Sequence, residues 1–465
     1  MKKMNENLQK DLPGMFEGNM YKLLIRLSLP ILTGMAVQIL YTVADTFFIS
    51  LIDKTDPSYI GGTGLVFPLM FLSMSIASGI MTGVGSVVAR AIGEKNRDSL
   101  NKAAESSLIM GAVLAIGIMA GIFWGGESLV KMLGATGNYY QHGLTYLLYS
   151  IPFMGTMIVI HAIGGIFQGE GKMKYIMIAM LIGTMCNLVL DPIFILWLKL
   201  GVKGAALASD VGQIVSFIYA LVVLGSKENL VSMEWKLKNI DIKLIRDIAI
   251  IGFPMALGQM AMALSIMLFN RMLITIDQQA MAAFTLVGRF DQGVLMPVFA
   301  LSSAMITVVG QNVGRGNMKR IRVAWKSGVV LSGGVVLFLA TAHILLAPVL
   351  YRIFSDVPQV LHYCILQTRI LEYTFLFAVI GIIGRSVFQA IGYPIPALIL
   401  TIVRTLAIGF PLAYIFVYHF NLHTKGVYFG MIIGNTSTAV IGLLWIASVI
   451  KRLENGTLKA VAVGR

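Results

Sequence analysis

Long apolar runs separated by short polar breaks recur along almost the whole chain, at about 22–50, 60–89, 103–123, 140–168, 174–198, 203–224, 246–276, 281–310, 322–347, 360–389, 394–419 and 425–450. A helix rising about 1.5 Å per residue needs about 20 apolar residues to cross roughly 30 Å of hydrocarbon, and each run is of that order. The runs are too long and too rich in Leu, Ile, Met and Gly for the strands of a membrane barrel. The pattern therefore predicts an all-α polytopic membrane protein of about twelve transmembrane helices. Basic residues precede the first run, but no small-residue cleavage site follows it, so it is expected to be retained as a helix.

The longest hydrophilic loop, Ser226 to Arg246, divides the runs into six and six. This predicts an amino-terminal bundle over 1–225, a cytoplasmic linker over 226–246 and a carboxyl-terminal bundle over 247–465. The halves echo each other. "SVVARAIGEKN" from Ser86 falls on "TVVGQNVGRGN" from Thr307, and "FQGEGKMK" from Phe167 on "FQAIGYPI" from Phe388, both at an offset of 221. "VKGAALASDVG" lies on "TKGVYFGMIIG" at 222, and "LPILTG" on "FPMALG" at 224. Because six is even, both halves enter the membrane from the same side, which is a parallel repeat. Two six-helix pseudosymmetric bundles around a central cavity suit alternating access better than a channel.

Composition agrees: 57% of the 465 residues are hydrophobic and 12% are charged. The net charge of +14 would suggest nucleic acid in a soluble protein. Its distribution gives a different account: with both termini cytoplasmic, and Lys and Arg toward run ends, Arg271, Arg289 and Arg385 among them, counted with the adjoining segment, the inner segments hold 26 and the outer ones 8, leaving Arg369 and Arg404 assigned to the runs themselves. That is the positive-inside bias. The expected setting is a multi-pass protein of the inner, cytoplasmic membrane, with the lipid bilayer and no nucleic acid as partner. Cys186 and Cys364 fall inside runs and read as packing. The six histidines show no metal-ligand spacing and no nucleophile–base pair stands out, so an enzyme is not expected. "GEGKM" has Ile166 where a phosphate-binding loop needs Gly and Met173 where it needs Ser or Thr. No cytoplasmic segment is long enough for an ATPase domain. Energy is then expected from an ion gradient, without a cofactor.

Acids within apolar runs are costly and generally face protein or water. Asp45 lies eight residues before Asp53 in the first outer loop, and Asp191 eight residues before Lys199, so both stand about 12 Å below the outer boundary. Asn187 and Asp191, four apart, share a helix face, and Ser209 enters the same layer from the sixth run. Two carboxylates, an amide and a hydroxyl suit a proton or a small hard cation such as Na+ at Asp45 and Asp191, and no other metal is expected. Pro30 and Pro192 remove backbone donors near these residues and are candidate hinges. In the second half Asp291 and Glu372, acids within runs, are candidates for a secondary cation, or for ion pairs with Arg289 and Arg369. Position 45 has Phe269 or Asn270 opposite it in the repeat, so the halves are not chemically equivalent.

The stretches "LPILTGMAVQILYTVADTFFIS", "ARAIGEKN" with its echo "GQNVGRGN", "FQGEG" and "NLVLDPIFI" cover both halves. Through them the chain resembles the multidrug and toxic compound extrusion (MATE) family, most closely its DinF-like branch. The resemblance implies a cation-coupled antiporter that exports small amphipathic, often cationic organic compounds, and a monomer is expected. It also implies that the coupling cation binds at Asp45, Asn187, Asp191 and Ser209, the last standing where Thr is frequent. The NorM-like branch uses acids in helices 7 and 10; helix 7 offers no buried acid at a comparable site here, whereas Glu372 is available in helix 10. A flippase for a lipid-linked precursor on the same scaffold is the alternative, carried by Arg271, Arg369 and Arg404. The charge distribution makes a direct forecast for orientation. Alkaline phosphatase fused after Gly134 should be active and after Ser226 silent; the reverse pattern would invert the topology.

Overall fold

A computed structural model of the protein describes residues 14–464 apart from 53–55, 57, 135, 227, 234–238 and 462. Asp53, the depth marker used above, lies outside the described residues. Among those residues there is no strand, and twelve helices are long and apolar enough to cross a membrane. They are α1 (Met20–Ser50), α2 (Phe67–Gly93), α3 (Arg97–Met132), α4 (Ile151–Glu170), α5 (Met173–Trp197) and α6 (Val202–Leu224). The second set is α7 (Ile242–Ile276), α8 (Gln278–Gly314), α9 (Met318–Ile353), α10 (Pro358–Ala390), α11 (Ile395–Tyr418) and α12 (His423–Glu454).

Two predicted runs are broken where hydropathy alone saw one. The second begins as a short helix, Ser58–Leu65, and the fourth as Gly137–Tyr149, and these two pack on each other. Each break precedes a proline at the first turn of the following span, Pro68 or Pro152, whose missing N–H and fixed φ favour a helix start. At the second break the Phe153 N–H donates to the Asp210 carboxylate at 2.8 Å. This satisfies one of the four donors that a helix start leaves free. The helices also outrun the apolar windows: α3 starts at Arg97 because Asn96 caps it, its side chain accepting the Ser99 N–H at 3.0 Å.

The chain forms two compact units, one built around Leu29–Phe253 and the other from Pro254–Ala462 with the amino-terminal stretch ending at Ser28. Assignment thus switches beside Pro30 in α1 and at Pro254 in α7, two prolines that the repeat superimposes. In the first unit α2 and α4 are packed tightly, with Val84, Val87 and Val88 against Ile163, Ile166 and Phe167. Buried Glu170 ends α4 by accepting the N–H groups of Leu230 and Val231, both at 3.1 Å, and Lys172 donates to Asn229 Oδ1 at 2.8 Å. The "GEGK" residues hold the linker rather than a phosphate. In the second unit Arg320 donates to the carbonyls of Gly14 and Gly18 at 2.7 and 3.1 Å, and Asn312 to that of Met15 at 3.1 Å.

The internal repeat is written in the backbone. After α2 the Asn96 N–H reaches Ala91 O at 3.1 Å, and after α8 the Asn317 N–H reaches Asn312 O at 2.9 Å. Gly171 and Gly392 both adopt left-handed φ, +76° and +85°, and the following N–H groups close on Phe167 O and Phe388 O at 2.8 and 2.9 Å. These are helix ends of the kind that glycine favours. The α5–α6 contact of the first unit also recurs as α11–α12. A Cβ on Gly204 would lie 2.7 Å from Phe194 C, and one on its counterpart Gly426 would lie 3.0 Å from Phe416 C. Small residues at such crossings let backbones meet where lipid gives helices no hydrophobic incentive to associate.

Gly426, Gly430 and Gly434 line one face of α12, and a Cβ on Gly430 would meet Ala413 N at 2.5 Å. Gly430→Ala should therefore destabilise the detergent-solubilised protein by about 1–3 kcal/mol. Gly334→Ala, at a position with nothing within 4 Å, should leave thermal unfolding unchanged or slightly raised.

Candidate cation site

The first unit brings together residues from three spans. Asn187 and Asp191 lie on one face of α5, both buried, and buried Ser209 faces them from α6. The Asn187 side chain links the other two. With its amide nitrogen toward α5 it donates to Asp191 Oδ2 at 2.8 Å, while its oxygen accepts from the Ser209 N–H at 2.9 Å and the Ser209 hydroxyl at 3.0 Å. Glycines make the approach feasible, since a Cβ on Gly212 would lie 2.7 Å from Gly183 O. Asp45, half-buried in α1, lies within Coulombic range of Asp191.

The local chain explains the shape of the site. Asp191 is the last α-helical residue of α5; Pro192 cannot donate a backbone hydrogen bond, and from Pro192 to Trp197 the turns widen to π geometry. Such widened turns are frequent at functional sites because they re-aim side chains. Within this arrangement Asp191 Oδ1 and Asp45 Oδ1 are buried and accept no hydrogen bond. Buried polar atoms are nearly always paired, so two unpaired carboxylate oxygens on neighbouring aspartates mark this layer as a candidate site. Ion pairs among the described residues, such as Lys102–Asp98, Lys131–Glu127 and Lys172–Glu170, leave both aspartates out.

The other singled-out residues sit elsewhere. Pro30 lies inside α1, where it leaves the carbonyl of the preceding turn without its usual donor. In the second unit Glu372 is buried and pairs with His343 of α9, whereas Arg369 is exposed. Asp291 of α8, His343 and Glu372 of α10 present ligand atoms that all lie within 4.8 Å of one another. Sequence reading missed His343 because a lone histidine in an apolar run carries no spacing pattern. It also passed over Asp210, beside Ser209, whose partner is a backbone N–H 57 residues away.

The sequence pattern of the MatE family matches residues 30–193 and 254–415. The multidrug export protein MepA of Staphylococcus haemolyticus is 24% identical over 94% of this chain and 95% of its own. A FAD transporter of Shewanella oneidensis is 26% identical over 87% and 90%. Among solved structures, that of the MATE transporter ClbM in complex with Rb+ is 34% identical, with a TM-score of 0.85 over 96% of this chain and 99% of that one. Both halves of the protein therefore carry the family pattern, and the chain belongs to the MatE family.

Proposed function

We propose that the protein exports amphipathic, largely cationic organic compounds across the cytoplasmic membrane by alternating access, in exchange for inward H+ or Na+. The observation that carries the reading is the pair of orphaned carboxylate oxygens of Asp45 and Asp191 beside Asn187 and Ser209. Two carboxylates flanked by an amide and a hydroxyl suit a hard monovalent cation or a proton. The family gives the activity its class, MepA is a multidrug exporter, and ClbM is solved with Rb+ bound. All four side chains come from one chain, so a monomer suffices and no cofactor is invoked.

In this reading the cation cancels one of the two carboxylate charges, and α1 bends near Pro30 while the widened turn after Pro192 adjusts α5. One charge crossing 100 mV supplies about 2.3 kcal/mol. That sustains roughly a 50-fold gradient of a neutral solute. Both termini lie in the cytoplasm, as the distribution of Lys and Arg indicates.

One observation favours a second reading, transport of a phosphate-bearing cargo such as a lipid-linked precursor. In the second unit Arg385 lies within Coulombic range of Arg404, whose Nη2 approaches the thioether of Met262 at 3.8 Å. Paired guanidiniums suit phosphate oxygens, and one relative is a FAD transporter.

Proteoliposome transport of one fluorescent organic cation, with pH and Na+ gradients imposed separately, tests the first reading. Asp45→Asn and Asp191→Asn each remove a charged ligand worth about 1.5–3 kcal/mol. The coupling cation should then bind about 10- to 150-fold more weakly. Ser209→Ala removes a neutral contact worth about 0.5–1.5 kcal/mol, for a loss of about 2- to 12-fold. Unchanged transport in both aspartate variants at equal expression removes the proposed site. Uptake of an anionic phosphate probe that fails in Arg385→Gln and Arg404→Gln would install the second reading instead.

A further inference from the structure

We propose that Asp291, His343 and Glu372 form a binding site for a divalent transition-metal ion of the Mn2+ or Zn2+ kind, separate from the Asp45–Asp191 layer. The argument begins with a hydrogen-bond chain that fixes the imidazole. Thr368 Oγ1 donates its one proton to Cys364 O at 2.9 Å. The Tyr351 hydroxyl, 2.8 Å from Thr368 Oγ1, must therefore donate to it. The same hydroxyl lies 2.8 Å from His343 Nε2 and so accepts the Nε2–H. In neutral imidazole this leaves Nδ1 as a bare lone pair, and Nδ1 faces Glu372 Oε1.

Two acceptors in contact need a proton or a metal cation between them, and for a metal a third ligand is at hand. Asp291 places a carboxylate oxygen within 4.8 Å of both partners, and Glu372 Oε2 is buried with no hydrogen bond. Metal–ligand bonds of about 2.0–2.2 Å put ligand atoms up to roughly 4.4 Å apart, so small side-chain adjustments close the set. Two carboxylates and one imidazole are neutralised by a single dication. An imidazole nitrogen distinguishes the site from one for Na+, which favours oxygen ligands, and suits Zn2+ or Mn2+.

The surroundings are those of a supported metal ligand. A ligating histidine usually gives its other N–H to an orienting partner, and Tyr351 with Thr368 fills that role. The Phe290 ring packs on both His343 and Tyr351, with centroids 5.7 and 5.6 Å away, and makes an apolar wall. The ion would tie α8, α9 and α10 together within the second unit.

The test uses tag-free, chelator-treated protein in detergent, equilibrated with Mn2+ or Zn2+ and assayed by elemental analysis. Wild type should bind the metal stoichiometrically and resist displacement by excess Na+. His343→Ala and Glu372→Gln should lose it, and Tyr351→Phe, which keeps the ring, should bind about 10- to 100-fold more weakly. Asp45→Asn should leave Mn2+ binding intact, which separates this site from the proposed coupling site. Independently of any variant, pulsed electron paramagnetic resonance of Mn2+-loaded wild type should show 14N coupling from one imidazole. Absence of that coupling, metal retained by His343→Ala, or no stoichiometric metal at all would overturn the proposal; the last outcome would leave protons as the cations of the cluster.

Discussion

The structure turns on a carboxylate placed where hydrocarbon should be. An acid at the centre of a membrane helix costs about 2.5–3.5 kcal/mol by insertion scales, so Asp191 persists only with compensation. The protein supplies part of it: Asn187 donates to one oxygen, and Ser209 orients Asn187. The other oxygen is left bare, as is one of Asp45. Full satisfaction by the protein would have made an inert structural knot. Partial satisfaction leaves two carboxylate oxygens free for the cation of the proposed exchange.

Holding such a layer requires backbones to come close, and glycine and proline set how close. Gly183, Gly204 and Gly212 let α5 and α6 meet around Asn187, while Pro192 opens the turn immediately beyond Asp191. The same device on α12 admits α11 through Gly426, Gly430 and Gly434. Without hydrophobic drive between helices in lipid, this close packing holds the pairs together.

The architecture was legible because the membrane imposes length and charge rules on every span. The twelve runs, their type and the parallel repeat could be read from apolar length and four motif pairs. The Asn187–Asp191–Ser209 cluster was legible because an isolated acid, an i+4 amide and a hydroxyl at matched depth leave few arrangements. What escaped depends on tertiary contact. The breaks before Pro68 and Pro152 lie inside continuous apolar runs, so hydropathy is blind to them. Arg369 stood three residues before Glu372 and invited an ion pair, but one side chain is exposed and the other buried against His343 from another span. Asp210 answers a backbone N–H 57 residues away, a contact that no local pattern encodes.

The two halves share a scaffold and diverge in what it carries. Their helix ends coincide at Asn96 and Asn317 and at Gly171 and Gly392, so the backbone design is duplicated. At an offset of 222 the positions of Asn187, Asp191 and Ser209 become Gly409, Ala413 and Met431. These are not empty versions of the polar site. A Cβ on Gly430 would collide with Ala413, and one on Gly434 would lie 3.1 Å from Gly409 Cα, so the small residues bring α11 and α12 into backbone contact. A carboxylate at position 413 would find no space, just as an alanine at 191 would leave Asn187 without its acceptor. The polar layer of the first unit and the close-packed layer of the second are thus alternative uses of one helix crossing. The second unit places its own acids, Asp291 and Glu372, on α8 and α10 around His343.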